Sequence, residues 1–156
     1  MELIEKQMDL FTLGQQYILA HCISADAGTN PKAMGLGIVV QFNKLYDTKT
    51  KITEAVSKMR KEELGKIEVG DCVINKYSDR VVCNLITKNV YYGKPTYDTL
   101  KKSLLNLKAF MIQNSYKYLG MPKIGCGLDK LQWEKVKLLI NEVFGNTDIE
   151  IVVCCI

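Results

Sequence analysis

At 156 residues, 47% hydrophobic and 24% charged, the chain is long enough to bury one core and too balanced to be disordered or fibrous, and residues 1–156 read as a single domain. Its formal net charge of +4, from 21 basic and 17 acidic residues, fits solvated helix faces better than a nucleic-acid footprint and leaves room for an anionic small ligand. With a charged start in place of a signal peptide and no apolar run of membrane-spanning length, the expected setting is cytoplasmic, the nucleus left open, with no membrane partner.

Residues 2–7 open as a candidate strand, and Tyr17–Cys22 is a second, short and mostly apolar. Gly35-Leu36-Gly37 opens a helix that runs to Tyr46. Ile52, Val56 and Met59 recur at i, i+4 and i+7 and mark a helix over 52–63. Asp71–Tyr77 and Val81–Thr87 are strands joined by a hairpin-like turn at Ser78-Asp79. Pro95-Thr96 starts a long helix over 96–114, with Thr96 as N-cap and Leu100, Leu104, Leu107 and Met111 as one apolar stripe. Tyr118–Ile124 is a strand. Gln132–Phe144 is a helix with Trp133, Val136, Ile140 and Val143 on one side, ended by Gly145. Ile149–Cys155 closes the series as a strand apolar on both faces. This alternation predicts an α/β sandwich around a mixed sheet, in which ligands sit at the carboxyl ends of the strands. The glycine loops 33–38 and 124–129 both occupy such positions. No coiled-coil seam or long exposed apolar stretch calls for assembly, so a monomer is expected.

The stretch Met121-Pro-Lys-Ile-Gly-Cys-Gly-Leu-Asp-Lys-Leu-Gln-Trp-Glu134 is the most informative. Gly125 and Gly127 let backbone N–H groups approach a ligand, and a helix beginning just beyond them aims its positive end at the same place, which suits a phosphate. Neither glycine loop completes G-x-G-x-x-G, and no G-K-[ST] is present, so a tight turn explains either loop equally well by itself. Asp129 has two compatible readings, a carboxylate facing the ligand or the N-cap of an Asp-x-x-Gln capping box with Gln132. Lys88 is either a solvated strand terminus or, on a central strand that ends in a pocket, an amine nucleophile, since burial eases deprotonation of a lysine. His21 fits a satisfied core histidine better than a catalytic base, and Asp9 fits a turn-forming residue. Trp133 and the tyrosines at 91, 92 and 97 fit core or rim positions. Six cysteines without a C-x-x-C pair, and a lone histidine, read as reduced thiols and not as a zinc site. Neither a metal nor a cofactor is expected.

Five segments resemble the macrodomains, ADP-ribose-binding modules, and among them the terminal ADP-ribose protein glycohydrolase branch. They are Leu19–Ser24, Met34–Ile38, Leu85–Lys88, Lys94-Pro-Thr-Tyr97 and Met121–Trp133, in the family's order. The resemblance implies a three-layer α/β/α macrodomain with a mixed central sheet and a cleft for ADP-ribose. It implies a hydrolase that releases ADP-ribose from glutamate or aspartate side chains of modified proteins through a lysyl covalent intermediate. Lys88 matches the lysine that attacks the anomeric carbon of the distal ribose, and Asp129 the aspartate that assists and then resolves the adduct. Asp9 and Leu10 lie where the family holds adenine, and Ser24 lies by the ribose-facing loop. Met34, Gly35, Gly37 and Ile38 match the loop beside the diphosphate and distal ribose. Lys123, Ile124, Gly125, Cys126, Gly127 and Leu128 match the second phosphate loop, and Ile156 an apolar lip near the adenine.

The implied partners are ADP-ribose and ADP-ribosylated protein, with ADP-ribosylated DNA as a further one. Other functions within the resemblance are release of ADP-ribose from DNA bases, removal of phosphate from ADP-ribose 1″-phosphate, and recognition without cleavage, although a pure reader needs neither Lys88 nor Asp129. The chain departs from the family in having Met8 where glycine is usual and a longer stretch at 25–32. A tight ion pair holds an amine in its protonated form, so Lys88 and Asp129 are expected to reach the ribose from different sides.

Overall fold

The computed structural model describes residues 1–155, so Ile156, the expected adenine lip, lies outside the described residues. The strands are β1 (Glu2–Gln7), β2 (Ile18–Ser24), β3 (Cys72–Lys76), β4 (Val81–Lys88), β5 (Tyr118–Met121) and β6 (Glu150–Cys155). The helices are α1 (Val39–Tyr46), α2 (Thr48–Lys61), α3 (Tyr97–Gln113) and α4 (Trp133–Phe144), with a 3-10 turn at Leu10–Thr12. One sheet runs in the order β1-β6-β5-β2-β4-β3. Only the β3–β4 hairpin is antiparallel among its pairings, so the sheet is mixed as expected.

Successive residues of the inner strands face opposite layers. Ala20, Cys83, Leu85, Leu119, Ile151 and Val153 pack against α3 and α4. Leu19, Ile23, Val82, Ile86, Val152 and Cys154 pack against α1 and α2. Three layers follow, with both sheet faces covered. The stripe Leu100, Leu104, Leu107 and Met111 is fully buried, each side chain contributing roughly 1.5–3 kcal/mol by leaving water. The edge strand β1 is short and carries Glu2, Glu5 and Lys6, which discourages further strand pairing.

Thr96 caps α3 as expected: its Oγ1 accepts from Thr99 N–H at 3.1 Å, and Thr99 Oγ1 accepts from Thr96 N–H at 3.0 Å. Several expected boundaries move, each for a local reason. The helix expected from Gly35 begins at Val39, because Gly37 is left-handed (φ 81°) and breaks the right-handed run. The helix expected from Ile52 begins at Thr48. Its N-cap, Asp47, is left-handed (φ 51°) and makes no side-chain capping bond; instead Asn43 in the last turn of α1 accepts through Oδ1 from Thr48 Oγ1 at 2.6 Å and Lys49 N–H at 2.9 Å, outside the usual cap position. β5 stops at Met121 and not Ile124, since Pro122 has no N–H for the ladder.

Candidate active site

β4 lies between β2 and β3, buried over Val82–Thr87, and delivers Lys88 at its carboxyl end. Ala25 N–H donates to the Lys88 carbonyl at 2.8 Å, tying this end to the exit of β2. Beyond β5 the chain loops through Pro122–Gln132 before α4. Leu131 N–H donates to Gly125 O at 2.8 Å, closing the loop on itself, and its backbone turns left-handed at Gly125 (φ 73°) and Lys130 (φ 62°). These reversals carry Asp129 back over the end of β4. Lys88 Nζ donates to Asp129 Oδ1 at 2.7 Å, each side chain being 15% exposed.

Two expectations are corrected by this geometry. Lys88 and Asp129 do not stand apart on opposite sides of a sugar; they form a direct ion pair, because the loop folds onto the strand end. Asp129 does not cap α4 either. The cap residue is Gln132, which makes no side-chain capping bond, and its N–H donates to Tyr97 Oη at 3.0 Å. The left-handed Lys130 separates Asp129 from the helix. Chemically, the pair holds a donor nitrogen and an acceptor oxygen one hydrogen bond apart, so the carboxylate is placed to take the proton of an amine that turns nucleophilic.

The pair lines a cavity of about 700 Å³, within the range of small-molecule sites. Its walls are the two glycine loops, the end of β2 and the segment after β4. Of the expected residues, Ser24, Met34, Gly35, Gly37, Ile38, Lys123, Ile124, Gly125, Gly127 and Leu128 line it together with Lys88 and Asp129. Ile38 and Val39, where α1 begins, also line it, so the positive end of that helix faces the space. Lys32, Lys88, Lys94, Lys123 and Lys130 face Asp129 as the lone wall carboxylate, an arrangement that favours an anion.

Asp9, Leu10 and Cys126 are not among the lining residues. Asp9 behaves as a turn former, its Oδ1 accepting from Phe11 N–H at 3.0 Å, and Leu10 is buried in the core at 2% exposure. Cys126 turns inward, its thiol donating to Ile124 O at 3.3 Å. Cys22 does line the wall. Burial, and then the nearby Asp129 carboxylate, push its thiol up to about 12, so it remains protonated. His21 is fully buried, stacked on Phe42 at 3.9 Å with Nε2 2.6 Å from Asn84 Oδ1, and burial pulls it down to about 4: a neutral core histidine. Among the described residues, no group of three or more His, Cys, Asp or Glu could hold a metal ion. No helix among them is long and apolar enough to cross a membrane.

Sequence reading missed Cys22, Lys32 and Tyr91–Lys94 as wall residues. The long stretch at 25–32 proves to be well anchored. Asp26 Oδ1 accepts from Ser24 Oγ, its Oδ2 accepts from Tyr91 N–H at 3.3 Å, and Lys49 Nζ donates to the Pro31 and Ala33 carbonyls at 2.7 Å each. The available signal was the tyrosine pair directly after the lysine-bearing strand, set aside as rim.

No protein-family model matches the chain. Solved structures identify the class by fold. The macrodomain of Thermus aquaticus DarG superposes with a TM-score of 0.78 at 19% identity, over 99% of this chain and 98% of that one. Thermosipho africanus DarTG in complex with ADP-ribose does so with a TM-score of 0.78 at 17% identity, over 98% of this chain and 41% of that one. The ADP-ribose glycohydrolases OARD1 of Bos taurus and Homo sapiens are each 41% identical over 145 residues, 93% of this chain and 86% of theirs. The chain therefore belongs to the macrodomain family, in the terminal ADP-ribose protein glycohydrolase branch.

Proposed function

We propose that this macrodomain is a hydrolase that releases ADP-ribose from glutamate or aspartate side chains of mono-ADP-ribosylated proteins. The observation that carries the proposal is the 2.7 Å contact between Lys88 Nζ and Asp129 Oδ1 on the wall of a cavity that also presents Lys32, Lys94, Lys123 and Lys130. Kinship with the OARD1 glycohydrolases supports the reaction class, and the Thermosipho complex, which shares the fold, supports the ligand.

In the proposed cycle the Lys88 amine passes its proton to Asp129 and attacks the anomeric carbon of the distal ribose. The carbon–oxygen bond to the acceptor breaks, and the acceptor leaves as a carboxylate, a good leaving group that needs little acid help. Asp129 gives that proton up to solvent and is a carboxylate again; it then takes a proton from water, which attacks the same carbon, and passes it to the departing amine. The carbon–nitrogen bond breaks and the amine is restored. The net change adds one water across the ester. Positioning supplies most of the gain, because amine and carboxylate are already held within one hydrogen bond of each other.

A panel of linkages tests this reading: ADP-ribose release from glutamyl-modified protein, from modified DNA and from ADP-ribose 1″-phosphate, for wild type and Lys88→Ala. Release from the glutamyl ester that vanishes in Lys88→Ala is expected; full activity of the variant refutes the lysine mechanism. One observation favours a DNA-base acceptor as second reading: Tyr92, 73% exposed at the cavity wall among lysines, offers a stacking face. Preference for the DNA arm of the panel would select it.

A further inference from the structure

The segment Lys94-Pro95-Thr96-Tyr97 follows Lys88 closely in the chain, and the mechanism leaves it without a task. Its contacts supply one. Lys94 Nζ donates to Leu128 O at 2.7 Å, one residue before Asp129. Tyr97 Oη accepts from Gln132 N–H at 3.0 Å, three residues after it. The base of the segment is fastened to β4: Thr99 Oγ1 donates to Thr87 O at 2.7 Å and Ser103 Oγ donates to Ile86 O at 2.8 Å. One continuous stretch thus bears the amine and grips the carboxylate's loop on both flanks. Ile124, Cys126 and Leu131 pack the ends of the loop on the core, whereas its tip, Gly127 and Leu128, is exposed.

We propose that Lys94 and Tyr97 are positioning residues, a two-point strap from the Lys88 segment that holds Asp129 within hydrogen-bond reach of Lys88; the catalytic part of this proposal rests on the hydrolase reading above. Neither side chain is needed to touch the reacting carbon. Their effect passes through Asp129, so they act on turnover and on decay of the lysyl adduct; Lys94 also lines the cavity, so unchanged ADP-ribose affinity is expected of the Tyr97 variant, whose side chain is not among the lining residues. Misplacing a catalytic group by about an ångström costs up to roughly a hundredfold, and loss of either strap is expected to lower kcat by roughly ten- to a hundredfold, with KM nearly unchanged for Tyr97→Phe.

The test uses Lys94→Met, Lys94→Arg and Tyr97→Phe in the full chain. The first measurement is independent of activity: amide hydrogen exchange across residues 126–132. Lys94→Met and Tyr97→Phe should exchange faster there and nowhere else, with Lys94→Arg close to wild type. Unchanged exchange overturns the strap, whatever the enzyme does. The second is a double-mutant cycle on the linkage hydrolysed fastest. Lys94→Met should lower kcat in the wild-type background and have no further effect in Asp129→Asn, because a positioning residue has nothing left to position. An undiminished further loss overturns the proposal and makes Lys94 a substrate contact. Rapid exchange in the strap variants with no turnover of any linkage by wild type supports the strap and removes the hydrolase reading. Wild-type exchange with full lysine-dependent hydrolysis does the opposite.

Discussion

Gly35-Leu36-Gly37 and Gly125-Cys126-Gly127 share a spacing, a left-handed glycine and one cavity, yet they are built differently. The first runs at once into α1, whose cap is Ile38 and whose Phe42, fully buried, stacks on His21. It inherits the rigidity of a helix docked on the sheet and brings backbone N–H groups and a helix dipole to the ligand. The second is parted from α4 by Leu128–Gln132 and is held by side chains of a neighbouring segment. Freed from its helix, it can carry a carboxylate across to a strand end. A loop continuous with a helix suits binding; a loop detached from one suits placing a reactive side chain.

The largest effect that separates the two loops lies at the reactive pair. Lys88→Ala should lower ADP-ribose release at least about a thousandfold, the scale seen on deleting a covalent nucleophile, while calorimetric ADP-ribose binding persists. Loss of binding as well would mean that the lysine serves the anion and not the chemistry. Asp129→Asn should slow turnover by roughly 10²–10³-fold, within the general-base range, and leave a lysyl adduct visible as added mass. Rapid turnover without adduct would reduce the second loop to a binding element like the first.

Acid should weaken the foundation of the first loop. His21 stays neutral in the folded chain down to about 4, against 6.5 ordinarily. Above the ordinary value neither state holds its proton; as pH falls from there to about 4, only the unfolded chain takes one up. Stability therefore declines over that window, by on the order of 3 kcal/mol in all. Urea midpoints at about pH 7 and about pH 4.5, for wild type and His21→Gln, measure it. An equally steep decline in His21→Gln would assign the acid sensitivity elsewhere.

The smallest contrast compares the glycines themselves. An alanine Cβ at Gly125 would meet Leu131 Cδ1 at 2.9 Å, whereas at Gly37 the nearest such atom is Leu128 Cδ1 at 3.7 Å. Both positions are left-handed and should lose about 1–2 kcal/mol on that ground, with Gly125→Ala the costlier for its added contact. Thermal unfolding of the two variants decides it, and equal losses would deny the tighter closure of the second loop.

Much of the architecture was legible along the chain. Leu100, Leu104, Leu107 and Met111 repeat at helical spacing because one face of α3 is buried, and a period of that kind needs no tertiary knowledge. Thr96 capped α3 as expected because its partner lies within the same turn. The start of α2 was not legible, because its first turn is bonded by Asn43 of α1 and not by a side chain at the cap position, Asp47. Nor was the inward turn of Cys126, since a one-dimensional pattern marks a loop without saying which of its side chains point outward.

The sequence by itself determined the layered α/β plan, the family resemblance and two candidate residue types, an amine and a carboxylate. Only the tertiary structure decided that they touch. Around that contact the backbone turns left-handed at Lys130, and Lys94 and Tyr97 bond to backbone groups on either side of Asp129. Local propensity is written in neighbouring residues, whereas a contact between positions 88 and 129 is the sum of packing and hydrogen bonds made between segments distant in the chain.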